Sequence, residues 1–467
     1  MDPTGGAGGP SRPADPAGSG GRPRPADPSG PGEAERVELT IGPVAHGGHC
    51  VARLDGRVVF VRHTLPGERV VAEITEVRRD FLRADAVEVL EAAPERVEPP
   101  CPYARPGRCG GCDLQHVAPD AQRAWKVDVV REQLLRLGGL SPAEVDALDV
   151  QVQALPGGQL GWRSRVRYAV DAAGRAGLLK HRSHEVVPID RCLIAHPAIQ
   201  ELPVLSADGR RWPDADAVEV IASTGGDVVV RALRDGGLVA GGDLAEPDVR
   251  TGPSHVVPRS ADGTPSPGIS GTGAATTGTV REHAVGRTWW LPPEAFWQVH
   301  PAAADTLTAA VLDLLDPREG ESAWDLYGGA GLFAAALADR LGPTGRVTVV
   351  ESAPAAVDAA RENLRDLPRV EIVRASVGPA LARRRIIGPV DLVVLDPPRS
   401  GAGAAVVRDV VAAARRAVAY VACDPAAFAR DVRTFRAAGW RLAALRGYDL
   451  FPMTQHVELV ALLVPGV

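Results

Sequence analysis

From about Thr288 to the C-terminus, short apolar runs alternate with helical stretches, and this alternation is the mark of βαβ units around a mostly parallel sheet. Ser322–Leu326 reads as a buried strand, Leu332–Leu341 as a helix and Gly345–Glu351 as the next strand. Pro354–Leu367 has the Ala, Arg, Glu and Leu content of a helix, and Leu392–Leu395 and Val418–Cys423 read as later strands. The expected class is α/β, with a doubly wound domain over residues 286–467.

Four segments of that domain carry chemistry. The run Asp325-Leu-Tyr-Gly-Gly-Ala-Gly-Leu-Phe333 leaves a strand and enters a helix. Its glycines let backbone approach a ligand, and Glu351, at the end of the next strand, stands where an acid holds ribose hydroxyls. A plain tight turn is the alternative. The glycines depart from the dinucleotide fingerprint, and Asp325 before them suits a ligand with a cationic amino-acid end, as in S-adenosylmethionine. Asp396 opens Asp-Pro-Pro-Arg-Ser-Gly401 at a strand end, where ligands of open α/β sheets sit, and the paired prolines fix a rigid exit. Cys423 closes a strand and precedes Asp424-Pro425. Asp424 suits an N-cap and Pro425 a first helical position, so the helix dipole favours a Cys423 thiolate while Asp424 opposes it. Glu458 begins the apolar run Leu459–Val464, where a carboxylate is costly unless it is paired with an arginine or used.

At 467 residues the chain exceeds one ordinary domain. Residues 1–35 are Pro, Gly, Ser, Asp and Arg with little to bury, which predicts a disordered tail. Residues 36–97 hold short alternating runs (Val58–Val61, Arg69–Ile74, Ala84–Val89) between glycine turns, which predicts a small β-barrel. Residues 98–285 form a mixed central segment with a helix over Pro119–Leu137, strands near Arg165–Val170 and Ala217–Ala232, and a Gly, Pro, Ser and Thr-rich loop over 236–279.

No apolar run is long enough to span a membrane and no secretory signal is present, so the protein is expected in the cytoplasm, where cysteines read as ligands or catalysts before disulfides. Cys101, Cys109, Cys112 and Cys192 can supply four thiolates to zinc or to an iron-sulfur cluster, while Cys50 reads as a buried free thiol. A net charge of −6 argues against a general polyanion binder. Local basic clusters remain, one containing Arg53, Arg57, Arg62, Arg69, Arg78, Arg79 and Arg83, the other Arg163, Arg165, Arg167, Lys180, His181 and Arg182.

Over most of its length, from about Val37 to Leu463, the chain resembles the RNA uracil-C5 methyltransferases. The resemblance rests on Asp-Leu-Tyr-x-Gly-x-Gly at 325–331, Asp-Pro-Pro-Arg at 396–399, Tyr-Val-x-Cys-x-Pro at 420–425 with Arg430-Asp431, and Phe-Pro-x-Thr-x-His-Val-Glu at 451–458. Cys-Gly-Gly-Cys-x-x-Gln-His at 109–116 is similar to the cluster-bearing branch that acts on 23S ribosomal RNA. The resemblance implies a Rossmann-like methyltransferase domain using S-adenosylmethionine, with Cys423 as nucleophile, Glu458 as the base that removes the C5 proton, and Gln298, Tyr327, Glu351 and Asp396 as cofactor contacts. It also implies an OB-type TRAM barrel over 36–97, and a 4Fe-4S cluster on Cys101, Cys109, Cys112 and Cys192. The implied partner is RNA, most of all 23S rRNA, acted on by a monomer without membrane contact. A transfer-RNA substrate, or a non-catalytic RNA-binding protein that keeps the fold, are the rival readings. The sequence departs from the family pattern with Gly328 where Cys is usual and Leu332 where Asn is common.

Overall fold

The computed structural model describes residues 35–205, 211–239, 250–251 and 278–466. The tail expected over 1–35, apart from Glu35, and most of the 236–279 loop lie outside the described residues. Six N-terminal strands, β1 (Arg36–Thr40), β2 (Val44–Ala45), β3 (His49–Leu54), β4 (Arg57–Arg62), β5 (Arg69–Val77) and β6 (Phe81–Glu91), form one sheet in the order β1-β5-β6-β4-β3-β2. Asp55 and Gly56 both take positive φ, 48° and 82°, as the two-residue turn between β3 and β4 demands. Beyond β1 the chain crosses to β3, where Gly42 N–H donates to the Val51 carbonyl at 2.8 Å and Val51 N–H to the Pro43 carbonyl at 2.9 Å, closing the sheet into a barrel. Alternate residues such as Val59, Val61, Val70 and Ala72 fill its core, and Cys50 is buried there as a free thiol.

Next come α1 (Pro119–Arg136), α2 (Pro142–Ala147) and β7 (Val152–Ala154). A central antiparallel sheet follows from β8 (Arg165–Val170), β9 (Ala176–Leu179), β10 (Val186–Pro188), then α3 (Pro197–Gln200), β11 (Ala217–Ala222), β12 (Asp227–Arg234), β13 (Gly237–Leu238) and β14 (Arg250–Thr251). The apolar run Ala217–Ala232 is thus two strands, divided by a turn in which Gly226 takes φ 84°. A hairpin, β15 (Val280–Ala284) and β16 (Arg287–Leu291), leads into the C-terminal domain.

That domain contains α4 (Ala303–Leu315), β17 (Ser322–Leu326), α5 (Leu332–Leu341), β18 (Arg346–Glu351), α6 (Pro354–Asn363), β19 (Val370–Arg374), α7 (Val377–Ala382), β20 (Val390–Leu395), α8 (Ala404–Ala413), β21 (Ala414–Ala422), α9 (Pro425–Ala437), β22 (Trp440–Asp449) and β23 (Glu458–Pro465). Its sheet runs β19-β18-β17-β20-β21-β23-β22-β7, parallel through β21, with β23 antiparallel to both its neighbours. The strands are apolar on both faces because both are covered. Val393 and Leu395 pack with Phe428 and Phe435 of α9 on one side, while Leu392 and Val394 pack with Leu307 of α4 and Leu337 of α5 on the other. Helix α6 ends at Asn363, short of the expected Leu367, and the Asn363 amide is spent on β16, accepting from Trp290 N–H at 2.8 Å and donating to its carbonyl at 3.2 Å.

Helix α1 joins the two ends of the molecule. Its Trp125 and Val129 enter the barrel core, while Val130 and Leu134 enter the core of the large sheet. No described helix is long and apolar enough to cross a membrane.

One buried charge anchors the barrel to the chain that follows it. Glu68 is fully buried and accepts from Leu65 N–H at 2.8 Å, Ala93 N–H at 3.2 Å and Arg96 Nη2 at 2.6 Å. Arg96→Met strands that carboxylate, and a loss of about 3–5 kcal/mol is expected from urea unfolding. An unchanged unfolding midpoint would contradict this role.

Candidate active site

Strand order reverses between β17 and β20, and the crevice outside their carboxyl ends is where an open α/β sheet receives ligands. Tyr327, Gly329 and Gly331 all take positive φ, 65°, 55° and 92°, which wraps the turn tightly enough for Tyr327 and Gly328 N–H to reach the Val350 carbonyl at 3.0 and 3.2 Å. A side chain at Gly328 has no room, since a Cβ there would lie 2.6 Å from Val349 Cγ1 and 3.1 Å from the Asp325 carboxyl.

Three acids ring this crevice. Asp325 is fully buried; its Oδ2 accepts from Ala334 N–H at 2.9 Å, while Oδ1 has no partner among the described residues. Burial pushes its pKa up to about 7. Glu351 accepts from Gly329 N–H at 3.1 Å and from Ser352 and Ala353 N–H at 2.6 and 2.7 Å. Asp396 follows β20, its N–H on the Leu326 carbonyl at 3.3 Å, and burial lifts it to about 7 as well. Tyr327, Glu351 and Asp396 thus converge at neighbouring strand ends. Gln298 comes from the segment between β16 and α4, is half-buried, and makes no side-chain hydrogen bond among the described residues.

Cys423 and Glu458 lie far apart in sequence and meet through strand register. Ala422, the last residue of β21, pairs with Leu459 of β23, so Cys423, one residue past β21, and Glu458, the first of β23, come out at the same end of the two strands, close enough for the Glu458 charge to act on the thiol. Burial, the Glu458 charge and the Asp396 charge push the Cys423 thiol up to about 12 against the pull of Arg399. Glu458 is 3% exposed, and burial together with Asp396 holds its carboxyl well above the usual range, again against Arg399. Asp424 does cap α9, accepting from Ala427 N–H at 2.7 Å, and Pro425 opens the helix. Cys423 thus stands beside a helix N-terminus as the sequence suggests, while burial first and the nearby carboxylates after it raise the thiol.

Residues that sequence reasoning passed over hold this arrangement. His46, in the barrel turn between β2 and β3, places Nε2 3.2 Å from Asp424 Oδ2, so the barrel touches the Cys423 loop. Asp431 accepts from Tyr420 Oη at 2.6 Å and from Ala402 N–H at 2.8 Å, tying the loop after Asp396 to the Cys423 strand and helix. Arg430-Asp431 stood in the sequence as a motif, but its partners did not.

Cys101, Cys109, Cys112 and Cys192 line one largely apolar cavity with Tyr103, Arg163 and Val166. Burial raises Cys109 to about 11 and holds Cys112 well above the ordinary thiol range. Among the described residues no group of three or more His, Cys, Asp or Glu is placed to hold a single metal ion. The two basic clusters divide: Arg62, Arg78 and Arg83 of the first and Lys180, His181 and Arg182 of the second line one groove between the barrel and the β9–β10 connection, together with Arg108 and the acids Glu73, Glu76 and Asp85. Arg83 lies over the Phe60 and Phe81 rings at 5.6 and 5.0 Å. Arg69 is instead spent on Glu38 and Glu91, and Arg165 on Glu282.

Residues 33–87 match the TRAM domain, and residues 289–465 match the tRNA (uracil-5-)-methyltransferase family. A Streptomyces avermitilis protein named as an uncharacterized RNA methyltransferase is 50% identical over 92% of this chain and 99% of its own length. The chain belongs to the RNA uracil-5-methyltransferases. Another member, the 23S rRNA (uracil(1939)-C(5))-methyltransferase RlmD of Thiobacillus denitrificans, is 34% identical over 89% of this chain and 97% of its own. The fold is that of the Pyrococcus abyssi tRNA (uracil-54, C5)-methyltransferase, solved with S-adenosyl-L-homocysteine, at a TM-score of 0.61 and 22% identity over 91% of this chain and 99% of that one. This protein is thus an S-adenosylmethionine-dependent RNA uracil-5-methyltransferase with an N-terminal TRAM barrel.

A thiol with a pKa near 12 is protonated in the RNA-free protein, and its thiolate fraction grows as pH rises. The rate of Cys423 alkylation by iodoacetamide, followed on its own peptide by mass spectrometry, should therefore climb about tenfold per unit from about pH 7 to 9 without a plateau. A plateau below about pH 8 would place the thiol among activated cysteines instead.

Proposed function

We propose that this protein methylates C5 of a uridine in 23S rRNA through a covalent bond between Cys423 and C6, in the cytoplasm. The reading is carried by Cys423 and Glu458 standing at the same end of the paired strands β21 and β23, near enough to Asp396 for its charge to act on both. The choice of 23S rRNA follows the RlmD relative, which matches this chain over nearly its whole length.

Uracil C5 is too weak a nucleophile to take a methyl group unaided. Cys423 adds to C6, the electron pair of the C5–C6 double bond moves to C5 and its enolate, and C5 becomes able to accept the methyl group. Glu458 then takes the C5 proton, the C5–H pair restores the double bond, and Cys423 leaves as thiolate. S-adenosylmethionine supplies the electrophilic methyl group and a positive charge that favours both the Cys423 thiolate and the Glu458 carboxylate. The unpartnered Oδ1 of Asp325 suits its ammonium group, Glu351 its ribose, and Tyr327, Asp396 and Gln298 complete the contacts.

Cys101, Cys109, Cys112 and Cys192 would hold a 4Fe-4S cluster. The four thiols line one cavity, and four thiolates are the ligand set such a cluster takes. Such a cluster would brace the loop it sits in. The groove lined by Lys180, His181 and Arg182 would grip RNA phosphates, with Arg83 and its two phenylalanines beside it.

Cys423→Ala is expected to abolish 5-methyluridine formation in 23S rRNA transcripts while S-adenosylmethionine binding persists, and retained methylation would remove the covalent reading. Lys180→Glu combined with Arg182→Glu should weaken RNA binding for all sequences alike and flatten its salt dependence by about one to two phosphate contacts. An unchanged salt slope would move the RNA elsewhere.

A further inference from the structure

Helix α1 carries two polar side chains, Gln122 and Lys126, that are almost wholly buried, at 0% and 1% exposure. One turn apart on the helix, both reach the loop between β22 and β23, whose last step is Glu458. Lys126 Nζ meets Asp449 Oδ1 at 2.5 Å, with both side chains buried, and donates to the Phe451 carbonyl at 3.2 Å. Gln122 accepts from Met453 N–H through Oε1 at 2.9 Å, and its Nε2 spans the Val117 carbonyl at 2.9 Å and Met453 Sδ at 3.4 Å.

The chain just before α1 completes the grip. Asp113 and Leu114 N–H both donate to the Met453 carbonyl at 3.0 Å, and Asp113 Oδ2 accepts from Gln455 N–H at 3.2 Å. Met453 itself is held at φ 68°, a left-handed conformation that a side-chain-bearing residue adopts only under such constraint. A buried ion pair brings little net stability over apolar packing, but it fixes geometry closely. Here the geometry it fixes is the path of the chain into Glu458.

We propose that Gln122 and Lys126 are positioning residues for Glu458, setting where its carboxylate stands for removal of the C5 proton. This rests on Glu458 being that base. Cys423 is carried by β21 and the helix that follows, so addition to C6 and methyl transfer proceed without the loop, whereas the last step depends on it. When that step slows, the C5–H bond survives, the C6–S bond cannot break, and methylated RNA stays attached to the enzyme.

The test uses the full-length protein with Gln122→Met, which keeps the volume and removes all three hydrogen bonds of the Gln122 amide, beside Lys126→Met and Glu458→Gln. For Gln122→Met and Lys126→Met the expected result is a roughly ten- to hundredfold loss of turnover, the scale set by a misplaced catalytic group. Covalent capture of 5-fluorouridine RNA, which stops before proton removal, should stay within about twofold of the parent protein. Methylated covalent adduct should accumulate on ordinary RNA, and a deuterium effect from C5-deuterated uridine should grow in kcat. If Lys126→Met does not fold, the Lys126→Met, Asp449→Asn pair removes the stranded charge and is measured instead. Turnover and capture falling in equal proportion, with no change in the deuterium effect, would overturn the proposal, as would unchanged turnover. Glu458→Gln separates the two readings. Adduct accumulation there but not in Gln122→Met sinks only the positioning role, while its absence in Glu458→Gln sinks the base assignment and this inference with it.

Discussion

The arrangement depends on one antiparallel pairing at an otherwise parallel sheet, that of β21 with β23. Because β23 runs against β21, with Ala422 paired to Leu459, the start of β23 at Glu458 lies at the same end as Cys423, one residue past β21. Were β23 parallel, Glu458 would lie at the opposite end of the strands, away from Cys423. A slip of the pairing by one residue would turn Glu458 to the other face. The alternation of β21 and β23 side chains into two distinct cores, with Tyr420 and Ala461 on one side and Ala419 and Val460 on the other, opposes that slip.

The second constraint is electrostatic. Burial holds Asp325, Asp396, Glu458 and Cys423 toward their uncharged forms, and the Asp396 charge adds to this at each of the other three. Such a site is poorly matched to water and well matched to a cation. On the proposed reading, a bound sulfonium with its ammonium end supplies the missing positive charge, and the nucleophile and base become active only when it is present. That ties thiolate formation to cofactor binding, and a thiol left protonated in the empty site is a weak target for stray electrophiles.

Much of this was legible in the sequence where local rules govern. The strand and helix of 322–341, the acid at Glu351 and the Asp424-Pro425 helix start follow from apolar runs, glycine turns and capping, which need no knowledge of distant chain. What depended on tertiary environment was not. The Cys423 thiol lies beside a helix N-terminus as expected, yet burial, and after it the Glu458 and Asp396 carboxylates, push it toward the protonated form. A strand as short as β7 has no periodicity to announce that it pairs with β22 at the edge of the large sheet. Gln122 and Lys126 look in sequence like the polar face of a surface helix, but α1 is covered on both sides, and only the fold reveals that its polar stripe faces the loop leading to Glu458. The basic clusters likewise needed the fold to bring Arg62 and Arg83 opposite Lys180 and Arg182.

The central claim is that a sulfur and a carboxylate flank one flipped uracil. Its most direct test is a crystal structure of the protein trapped with 5-fluorouridine RNA and S-adenosylmethionine. The account predicts continuous density from Cys423 Sγ to C6 and a Glu458 carboxylate facing C5. A captured base whose C6 points away from Cys423, or whose C5 is out of reach of Glu458, would contradict it.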